Sequence, residues 1–453
     1  MTKNHTKKKI FLLIGIFCCI ALGSNALNFS PNSSKTSEQS MDVRTAGTNN
    51  YRSNLSITWG GGCSFDYGYG IALDASGNIY ITGETWSFGA GSADAFITKY
   101  DSAGNSLLNI TWGGGSSDVG YGIALDDDGN IYITGETWSF GAGSVDTFIA
   151  KYDSADNSLL NITWGGDSED GGYGIALDDD GNIYITGATL SFGAGGADAF
   201  IAKYDSAGNS LLNITWGGGS SDVGYGIALD DDGNIYITGY TGSFGAGGAD
   251  AFIAKYDSAG NSLLNITWGG GSDDVGNSIV LDTSGSIYIT GATWSFGRGG
   301  ADAFIAKYDS SGNSLLNITW GGGITLDDIG NSIALDTSGS IYITGETWGF
   351  GTDSEDAFIA KYDSAGNSLL NITWGDGRQD YGYGITLDDD GNIYITGYTE
   401  DYCAGHWGFY EAFIAKYSLV PDQDTPVISG YNLLFLIGFL GLFLIILTKK
   451  NLK

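Results

Sequence analysis

The sequence is built from one unit of about 52 residues that returns seven times. A tryptophan marks the period, at Trp59, Trp112, Trp164, Trp216, Trp268, Trp320 and Trp374. The motif (N/S)IYITG occurs once in each unit, starting at Asn78, Asn130, Asn182, Asn234, Ser286, Ser340 and Asn392. Self-similarity at such a period is typical of solenoids and propellers, so the repeats, and not the chain length, determine the number of domains.

Four strands are predicted within one unit. In the second unit they cover 121–126, 130–137, 147–153 and 158–164, where short β-branched or aromatic runs lie between Gly, Asp and Asn. The turns read DDDGN and DSAGN, with Asp able to cap the turn and Gly able to adopt a positive φ. Four antiparallel strands per unit favour a seven-bladed β-propeller over a parallel β-helix, whose coils are shorter and lack two tight hairpins.

The strand count predicts how the ring closes. Only three strands follow Trp374, at 383–388, 392–399 and 412–417, and a lone strand at 54–59 precedes the first complete unit. We therefore expect the lone strand to complete the last blade, which removes the open sheet edge. The propeller is predicted to span residues 54–418.

Charge and composition exclude several classes of function. The net charge of −33 disfavours nucleic acid and acidic membranes as partners, because phosphate binding needs a basic surface. His5 and His406 are the only histidines, so an enzyme would depend on carboxylates alone. Each repeated polar residue occurs about seven times, whereas an active site needs a singular constellation. The sequence predicts no enzyme; a carboxylate-based polysaccharide hydrolase or lyase is the less favoured alternative.

The two ends of the chain have the composition of targeting segments. Residues 1–26 have a lysine-rich start, an apolar run and a small-residue cleavage site, and are predicted to be a signal peptide rather than a retained anchor. Residues 27–53 are predicted to be a disordered Ser/Asn-rich spacer and 419–430 a linker. A transmembrane helix is predicted over 431–448, followed by a cytoplasmic tail at 449–453, which leaves the repeats outside the cell.

The motifs GYGIALDDDGNIYITG, GGADAFIAKYDSAGN and LLNITWGG resemble the SBBP beta-propeller repeats, over about residues 54–418. This resemblance implies a propeller fold and display on the surface of a prokaryotic cell, but no single activity. The C-terminal helix with its lysine tail is similar to the membrane anchors of archaeal surface proteins, which implies an archaeal origin.

Two sets of regularly spaced aspartates are candidate cation ligands. Both sets are expected in loops on one rim of the propeller, and oxygen ligands of this kind suit Ca²⁺. The alternative is that each aspartate caps a turn or accepts backbone hydrogen bonds. The calcium hypothesis names Asp118, Asp146, Asp170, Asp198, Asp222 and Asp250. No other cofactor is predicted.

The last unit departs most from the repeat. Its segment EDYCAGHWGFY, at 400–410, is longer than the equivalent loops and predicts a binding loop for a protein or a glycan. The alternative is that the segment covers the closure of the ring. Cys63 is expected on the same rim as Cys403, and a disulfide is predicted between them. The binding residues named are Tyr402, His406, Trp407, Phe409 and Tyr410.

The outer strands carry sequons for N-glycosylation. By alternation, Asn109 and Thr111 face outward from the edge strand, so the site is accessible unless these residues are simply polar groups on a solvated edge. The predicted sites are Asn109, Asn161, Asn213, Asn265, Asn317 and Asn371.

Together these features predict a single-pass membrane protein with an extracellular propeller. The predicted function is a binding or adhesion module for a surface protein or a glycan. The alternative is a passive structural component of the cell surface, and the predicted contact with the membrane is through the C-terminal helix.

Overall fold

The computed structural model describes residues 35–36, 51–323, 326–351, 354–375, 377–403 and 406–419, with the backbone alone for 35–36, 402–403 and 406–407. These residues form a seven-bladed propeller of antiparallel four-stranded blades, as the sequence predicts. Within the described ranges no helix is long and apolar enough to span a bilayer. The predicted signal peptide, 1–26, and the predicted transmembrane helix, 431–448, lie outside them.

Each of the first six blades runs in chain order from the inner to the outer strand. They are β3 (Asp66–Leu73), β4 (Ile79–Thr85), β5 (Asp94–Tyr100) and β6 (Ser106–Trp112); β7 (Asp118–Leu125), β8 (Ile131–Thr137), β9 (Asp146–Tyr152) and β10 (Ser158–Trp164); β11 (Asp170–Leu177), β12 (Ile183–Thr189), β13 (Asp198–Tyr204) and β14 (Ser210–Trp216); β15 (Asp222–Leu229), β16 (Ile235–Thr241), β17 (Asp250–Tyr256) and β18 (Ser262–Trp268); β19 (Asp274–Leu281), β20 (Ile287–Thr293), β21 (Asp302–Tyr308) and β22 (Ser314–Trp320); β23 (Asp328–Leu335), β24 (Ile341–Thr347), β25 (Asp356–Tyr362) and β26 (Ser368–Trp374).

The last blade combines the two ends of the array. Its strands are β27 (Asp380–Leu387), β28 (Ile393–Cys403), β29 (His406–Leu419) and β2 (Tyr51–Trp59), with the two-residue strand β1 (Lys35–Thr36) paired to β2. β2 and β29 are antiparallel neighbours, with Ile57 opposite Ile414. The predicted closure of the ring by the N-terminal strand is confirmed.

The predicted spacer 27–53 overlaps this sheet, so its bounds need correction. β1 lies within it, and β2 begins at Tyr51 instead of residue 54. Tyr51 is only 2% exposed and packs with Tyr342, Leu370 and Tyr417. Burial of an aromatic ring removes a large apolar surface from water, which explains why the strand extends into a segment that is otherwise rich in Ser and Asn.

The Asp–Gly turns close hairpins as predicted, and together they form one rim of the propeller. In the first blade, Oδ1 of Asp74 accepts hydrogen bonds from the backbone N–H groups of Ser76 and Asn78, both at 2.9 Å. Gly77 has a φ of 76°, which only glycine adopts without strain. In the second blade, Asp156 stands at the corresponding glycine position of the second hairpin, with a φ of 71°.

Each landmark tryptophan joins one blade to the next. The ring of Trp164, at the end of β10, stacks on Phe200 of the following blade with ring centroids 4.0 Å apart. Its Nε1–H donates to Oδ1 of Asn213 in the outer strand of that blade, at 2.9 Å. The stack recurs at all seven boundaries. The hydrogen bond recurs at six, and Ser56 replaces the asparagine where the ring closes.

The Trp–Asn hydrogen bond gives a prediction about stability. Asn213→Ser, which copies the natural residue of the last blade, should lower the free energy of unfolding by about 1 kcal/mol because one hydrogen bond is lost. Urea denaturation of the full chain measures the change. In a Trp164→Phe background, which lacks the indole donor, the same substitution should have almost no effect. An equal loss in both backgrounds would contradict this role of the hydrogen bond.

Candidate binding face

The rim opposite the Asp–Gly turns, called here the loop face, carries the irregular parts of every blade. It consists of the connections between second and third strands, such as 86–93, and the connections between blades, such as 113–117. Hydrogen bonds join the two kinds of connection: the backbone N–H of Trp138 donates to the carbonyl of Ser117 at 2.9 Å. The connections of the loop face are therefore held in place by hydrogen bonds to one another.

The regularly spaced aspartates hold these loops in place. Asp118 is fully buried and begins β7, and its carboxylate accepts hydrogen bonds from the Thr137 hydroxyl, the Ser139 hydroxyl at 2.7 Å and the Gly114 N–H at 2.8 Å. The aspartates lie on one rim as expected, but each of them is the first residue of a strand instead of lying in a loop. Their observed role is the alternative one of accepting hydrogen bonds from the protein.

The two sets of aspartates meet in pairs between neighbouring blades. Asp94 and Asp118 flank Gly113, where a Cβ atom would lie 2.1 Å from Oδ1 of Asp94 and 2.7 Å from Oδ2 of Asp118. Burial, and then the charge of Asp118, raise the pKa of Asp94 to about 6. Across the described ranges, no three acidic, histidine or cysteine side chains are grouped to hold a metal ion. The calcium hypothesis for Asp118, Asp146, Asp170, Asp198, Asp222 and Asp250 gains no support from this geometry.

A ring of tyrosines surrounds the central channel. The first strands of all seven blades line a cavity of about 250 Å³ on the axis. Neighbouring tyrosine rings are in contact, with centroids 5.3 Å apart for Tyr69 and Tyr121 and 5.4 Å apart for Tyr121 and Tyr173. The first strand of each blade has a β-bulge at the position of this tyrosine, as between Gly68 and Gly70 and between Gly120 and Gly122. The ring consists of Tyr69, Tyr121, Tyr173, Tyr225 and Tyr383, with Asn277 and Asn331 in the other two blades.

Three glutamates lie close to the tyrosine ring. Glu84, Glu136 and Glu346 occupy the same position in the second strand of their blades. Oε1 of Glu136 accepts the Tyr173 hydroxyl at 2.9 Å. Burial raises the pKa of Glu84 and Glu136 to about 7, and burial together with the charge of Glu355 raises that of Glu346 to about 8. These carboxyl groups are therefore partly protonated at neutral pH.

The sixth and seventh blades contain a polar network that does not recur in the other repeats. Glu355 and Tyr410 take a position that is Ala or Val in the other five blades. Gln379 joins them: its Nε2 donates to Oε2 of Glu355 at 2.8 Å, and its Oε1 accepts the Tyr410 hydroxyl at 2.6 Å. Glu346 and Glu355 are both buried, and they lie close enough that the charge of Glu355 raises the pKa of Glu346. A column-by-column comparison of the seven units would have revealed the substitutions.

Residues 400–403 and 406–410 extend the hairpin of β28 and β29, which corrects the prediction of a loop. β28 and β29 continue their pairing into these residues, with Glu400 opposite Tyr410 and Asp401 opposite Phe409. The rings of Phe409 and Tyr410 lie 5.9 and 6.2 Å from that of Phe65. Of the five predicted binding residues, these two are brought together; the side chains of Tyr402, His406 and Trp407 lie outside the described residues. The alternating aromatic residues favour a strand over a loop.

The predicted cysteine pair lies on the loop face at the closure of the ring. Cys63 is disulfide-bonded, and it precedes Ser64, whose carbonyl accepts the N–H of Tyr410 at 3.0 Å. The backbone of Cys403 ends β28 in the hairpin that carries Tyr410. The side chain of Cys403 lies outside the described residues, so the pairing of Cys63 with Cys403 stays a prediction.

Exposed tryptophans on the loop face were missed by the sequence analysis. Trp86 is 45% exposed, and its Nε1–H donates to Oε1 of Glu84 at 2.7 Å. Trp138, Trp294 and Trp348 occupy the same position in their blades and are 42%, 36% and 44% exposed. The signal was present, because a tryptophan opens the otherwise Gly- and Ser-rich connection in four of the seven units.

The predicted glycosylation sites lie on the outer strands. Asn109 is exposed in β6; its Oδ1 accepts the indole N–H of Trp59 at 2.8 Å, and its Nδ2 donates to the Ser106 hydroxyl at 3.2 Å. The other sequons have the same arrangement, although Asn371 is only partly exposed. Glycosylation stays a prediction, and the sequon asparagines are shown to join neighbouring blades.

Comparison with protein families identifies the repeats. The family described as SBBP, Beta-propeller repeat, matches six places in the chain, at 65–89, 103–141, 165–193, 211–245, 315–351 and 369–401. This agrees with the resemblance seen in the sequence. The archaeal or other prokaryotic origin inferred from that resemblance is not borne out by the comparisons.

Individual relatives match only part of their own length. The chain is 25% identical over 155 residues to the regulatory protein FlaEY of Caulobacter vibrioides, covering 30% of this chain and 16% of FlaEY. It is 28% identical over 153 residues to the WD repeat-containing protein L264 of Acanthamoeba polyphaga mimivirus, covering 26% of this chain and 11% of L264.

Two solved structures are similar to this chain at low sequence identity. The polysaccharide lyase Uly1 has a TM-score of 0.47 and 11% identity, covering 80% of this chain and 91% of Uly1. Virginiamycin B lyase from Staphylococcus aureus has a TM-score of 0.44 and 13% identity, covering 82% of this chain and all of that chain.

The buried carboxyl groups predict an unusual dependence of stability on pH. Because the folded-state pKa values of Glu84, Glu136 and Glu346 are raised, their contribution to stability is present below pH 4.5 and is lost as the pH rises to about 8. In the turns, hydrogen bonds outweigh the effect of burial and lower the pKa of Asp282 and Asp336 to about 2, so their contribution is lost as the pH falls below 3.8. Stability should therefore be greatest near pH 4 to 5.

Thermal denaturation of the full chain between pH 3 and 8 measures this profile. Glu136→Gln should reduce the loss of stability between pH 5 and 8, because one buried carboxyl group no longer ionises. Asp128→Asn removes an exposed carboxylate in a turn and should leave the slope unchanged. A stability that rises steadily from pH 5 to 8 would contradict the burial of these glutamates.

Proposed function

The chain is an SBBP beta-propeller repeat protein whose loop face is held in place by hydrogen bonds and carries exposed tryptophans. We propose that it is a binding module for neutral glycans. The observation that carries the proposal is the repeated exposure of tryptophan at one position, in Trp86, Trp138, Trp294 and Trp348. Exposed rings on a polar surface are typical of interaction sites, since an aromatic ring offers a rigid apolar face with little loss of conformational entropy on binding.

The geometry of the tryptophans suits a repeating ligand. Each lies at the same place in its blade, and its backbone N–H is held by the connection between blades, as for Trp294 and Asp273 at 3.0 Å. Several equivalent contacts to one polymer raise the overall affinity without strengthening any single contact. The net charge of −33 disfavours acidic polysaccharides, which leaves neutral ones.

We place this module outside the cell. Support comes from the predicted signal peptide at 1–26 and the predicted membrane helix at 431–448, which would leave the propeller at the surface as an adhesion module. Under the alternative of a passive surface component, the full chain would retain no glycan and no protein. The expectation that the chain is not an enzyme belongs to the same proposal, and release of new reducing ends from a bound glycan would contradict it.

An array of neutral glycans probed with the full chain tests the proposal, followed by titration of the ligand that is best retained. Trp138→Ala and Trp348→Ala should each weaken binding about tenfold or more, as expected for aromatic residues at the centre of an interface. Leu107→Ala is the matched control, because Leu107 is 53% exposed on an outer strand. Equal losses in the control and the tryptophan variants, or no retention, would overturn it.

A second arm tests the hairpin at 400–410. Replacement of this segment by the SFGAG-type connection of the other blades removes Phe409 and Tyr410 but leaves the four exposed tryptophans in place. If the hairpin is part of the binding surface, the exchange lowers affinity for the same glycan. Unchanged affinity would limit the hairpin to covering the closure of the ring.

We also propose that the Cys63–Cys403 disulfide locks the ring on this face. It is supported by the disulfide at Cys63 and by the hydrogen bond between Ser64 and Tyr410. Mass spectrometry of unreduced peptides should find the two cysteines cross-linked, and reduction should destabilise the propeller by about 4 to 5 kcal/mol, because the bond closes most of the domain. Alkylation of both cysteines without reductant would exclude the pairing.

A further inference from the structure

Aromatic rings line the central channel, and three glutamates lie close to these rings on one side of the axis. Tyr383, Tyr69 and Tyr121 belong to consecutive blades, and their neighbouring rings have centroids 5.3 Å apart in both pairs. Glu346, Glu84 and Glu136 belong to the sixth, first and second blades, so the carboxylates lie in the sector that holds these tyrosines. The cavity of about 250 Å³ is large compared with the ~30 Å³ that one water occupies.

The protein itself shows what such a combination binds. In the first blade, the Lys99 ammonium lies 4.7 Å from the centroid of the Tyr80 ring and 3.8 Å from a carboxylate oxygen of Asp74. The same arrangement of ammonium, tyrosine and aspartate recurs in every blade near the Asp–Gly turns. An ammonium group is attracted both by the face of an aromatic ring and by the negative charge.

The tyrosines line the channel and the glutamates lie close to them, and no lysine or arginine is among the residues that line the cavity. The repeat lysines are engaged at the Asp–Gly turns, and in the described ranges no lysine or arginine pairs with Glu84, Glu136 or Glu346. Glu346 is 9% exposed, and burial together with the negative charges of Glu355 and Asp327 raises its pKa. A buried carboxylate without a counter-charge is unfavourable, and a cation nearby would relieve it.

We infer that the mouth of the central channel is a binding site for an alkylammonium group, held against Tyr69, Tyr121 and Tyr383 with the three glutamates as counter-charges. The carboxylates lie next to the tyrosine hydroxyl groups, as the hydrogen bond from the Tyr173 hydroxyl to Glu136 shows. Both a quaternary ammonium and the primary ammonium of a lysine side chain have this chemistry. Glu84 also accepts the indole N–H of Trp86 at 2.7 Å, so the site adjoins the exposed tryptophans, but it does not depend on glycan binding.

Calorimetric titration of the full chain tests the inference with choline and with 3,3-dimethylbutan-1-ol, its uncharged isostere. Choline should bind at one site and at least about tenfold more tightly than the isostere, because only the charged form gains the cation–π attraction. Titration with n-butylammonium, which mimics a lysine side chain, shows whether a primary or a quaternary ammonium is preferred; saturable binding of either supports the site.

Variants separate the site from general charge effects. Tyr121→Leu should weaken choline binding about tenfold and Glu136→Gln about fivefold, since one removes a ring and the other a counter-charge. Asp128→Asn is the matched control, because it removes one exposed negative charge on the opposite rim. Equal binding of choline and its isostere, or an equal effect of the control, would overturn the inference. The first comparison uses the unaltered protein and does not require the variants to fold.

Discussion

The stack between a tryptophan of one blade and a phenylalanine of the next is the contact on which the rest of the structure depends. Ring centroids are 3.8 to 4.1 Å apart at all seven boundaries, including Trp374 and Phe413, where the ring closes. Each pair removes large apolar surfaces from water and fixes the distance between two sheets. Because the seven contacts are nearly equal, the blades close into a ring whose first strands surround an axial channel.

The polar groups of the loop face fix the connections between strands and blades, in addition to the aromatic stacks between blades. Asp118 takes its donors from Thr137, Ser139 and the Gly114 backbone, and so ties the second strand of its blade to the connection that enters it. Trp138 follows Thr137 directly, so its exposed ring is attached to backbone that these hydrogen bonds hold in place. Preorganised aromatic side chains lose little freedom on binding, which is why a rigid propeller can present a binding surface on loops.

Particular residues show how far the sequence could predict this molecule. The tryptophan period, the Asp–Gly turns and the missing strand after Trp374 predicted the blades and their closure. Periodicity could not predict that Gln379 connects Glu355 to Tyr410, since these residues come from different blades and meet only after packing. The bulge between Gly68 and Gly70 breaks the alternation of the first strand, so the inward position of Tyr69 was also hidden.

The carboxyl groups on the two rims differ in how the protein shifts their pKa values. On the turn rim, aspartates such as Asp282 have a lowered pKa because several donors stabilise the ionised form. On the loop face, burial raises the pKa of Glu84, Glu136 and Glu346, so at neutral pH these groups lower stability. Alanine stands at the same position in the third and fifth blades, so the fold does not need a carboxylate there. Groups that lower stability without a structural need are typical of functional sites, which supports the proposals that ligands bind at the channel and on the loop face.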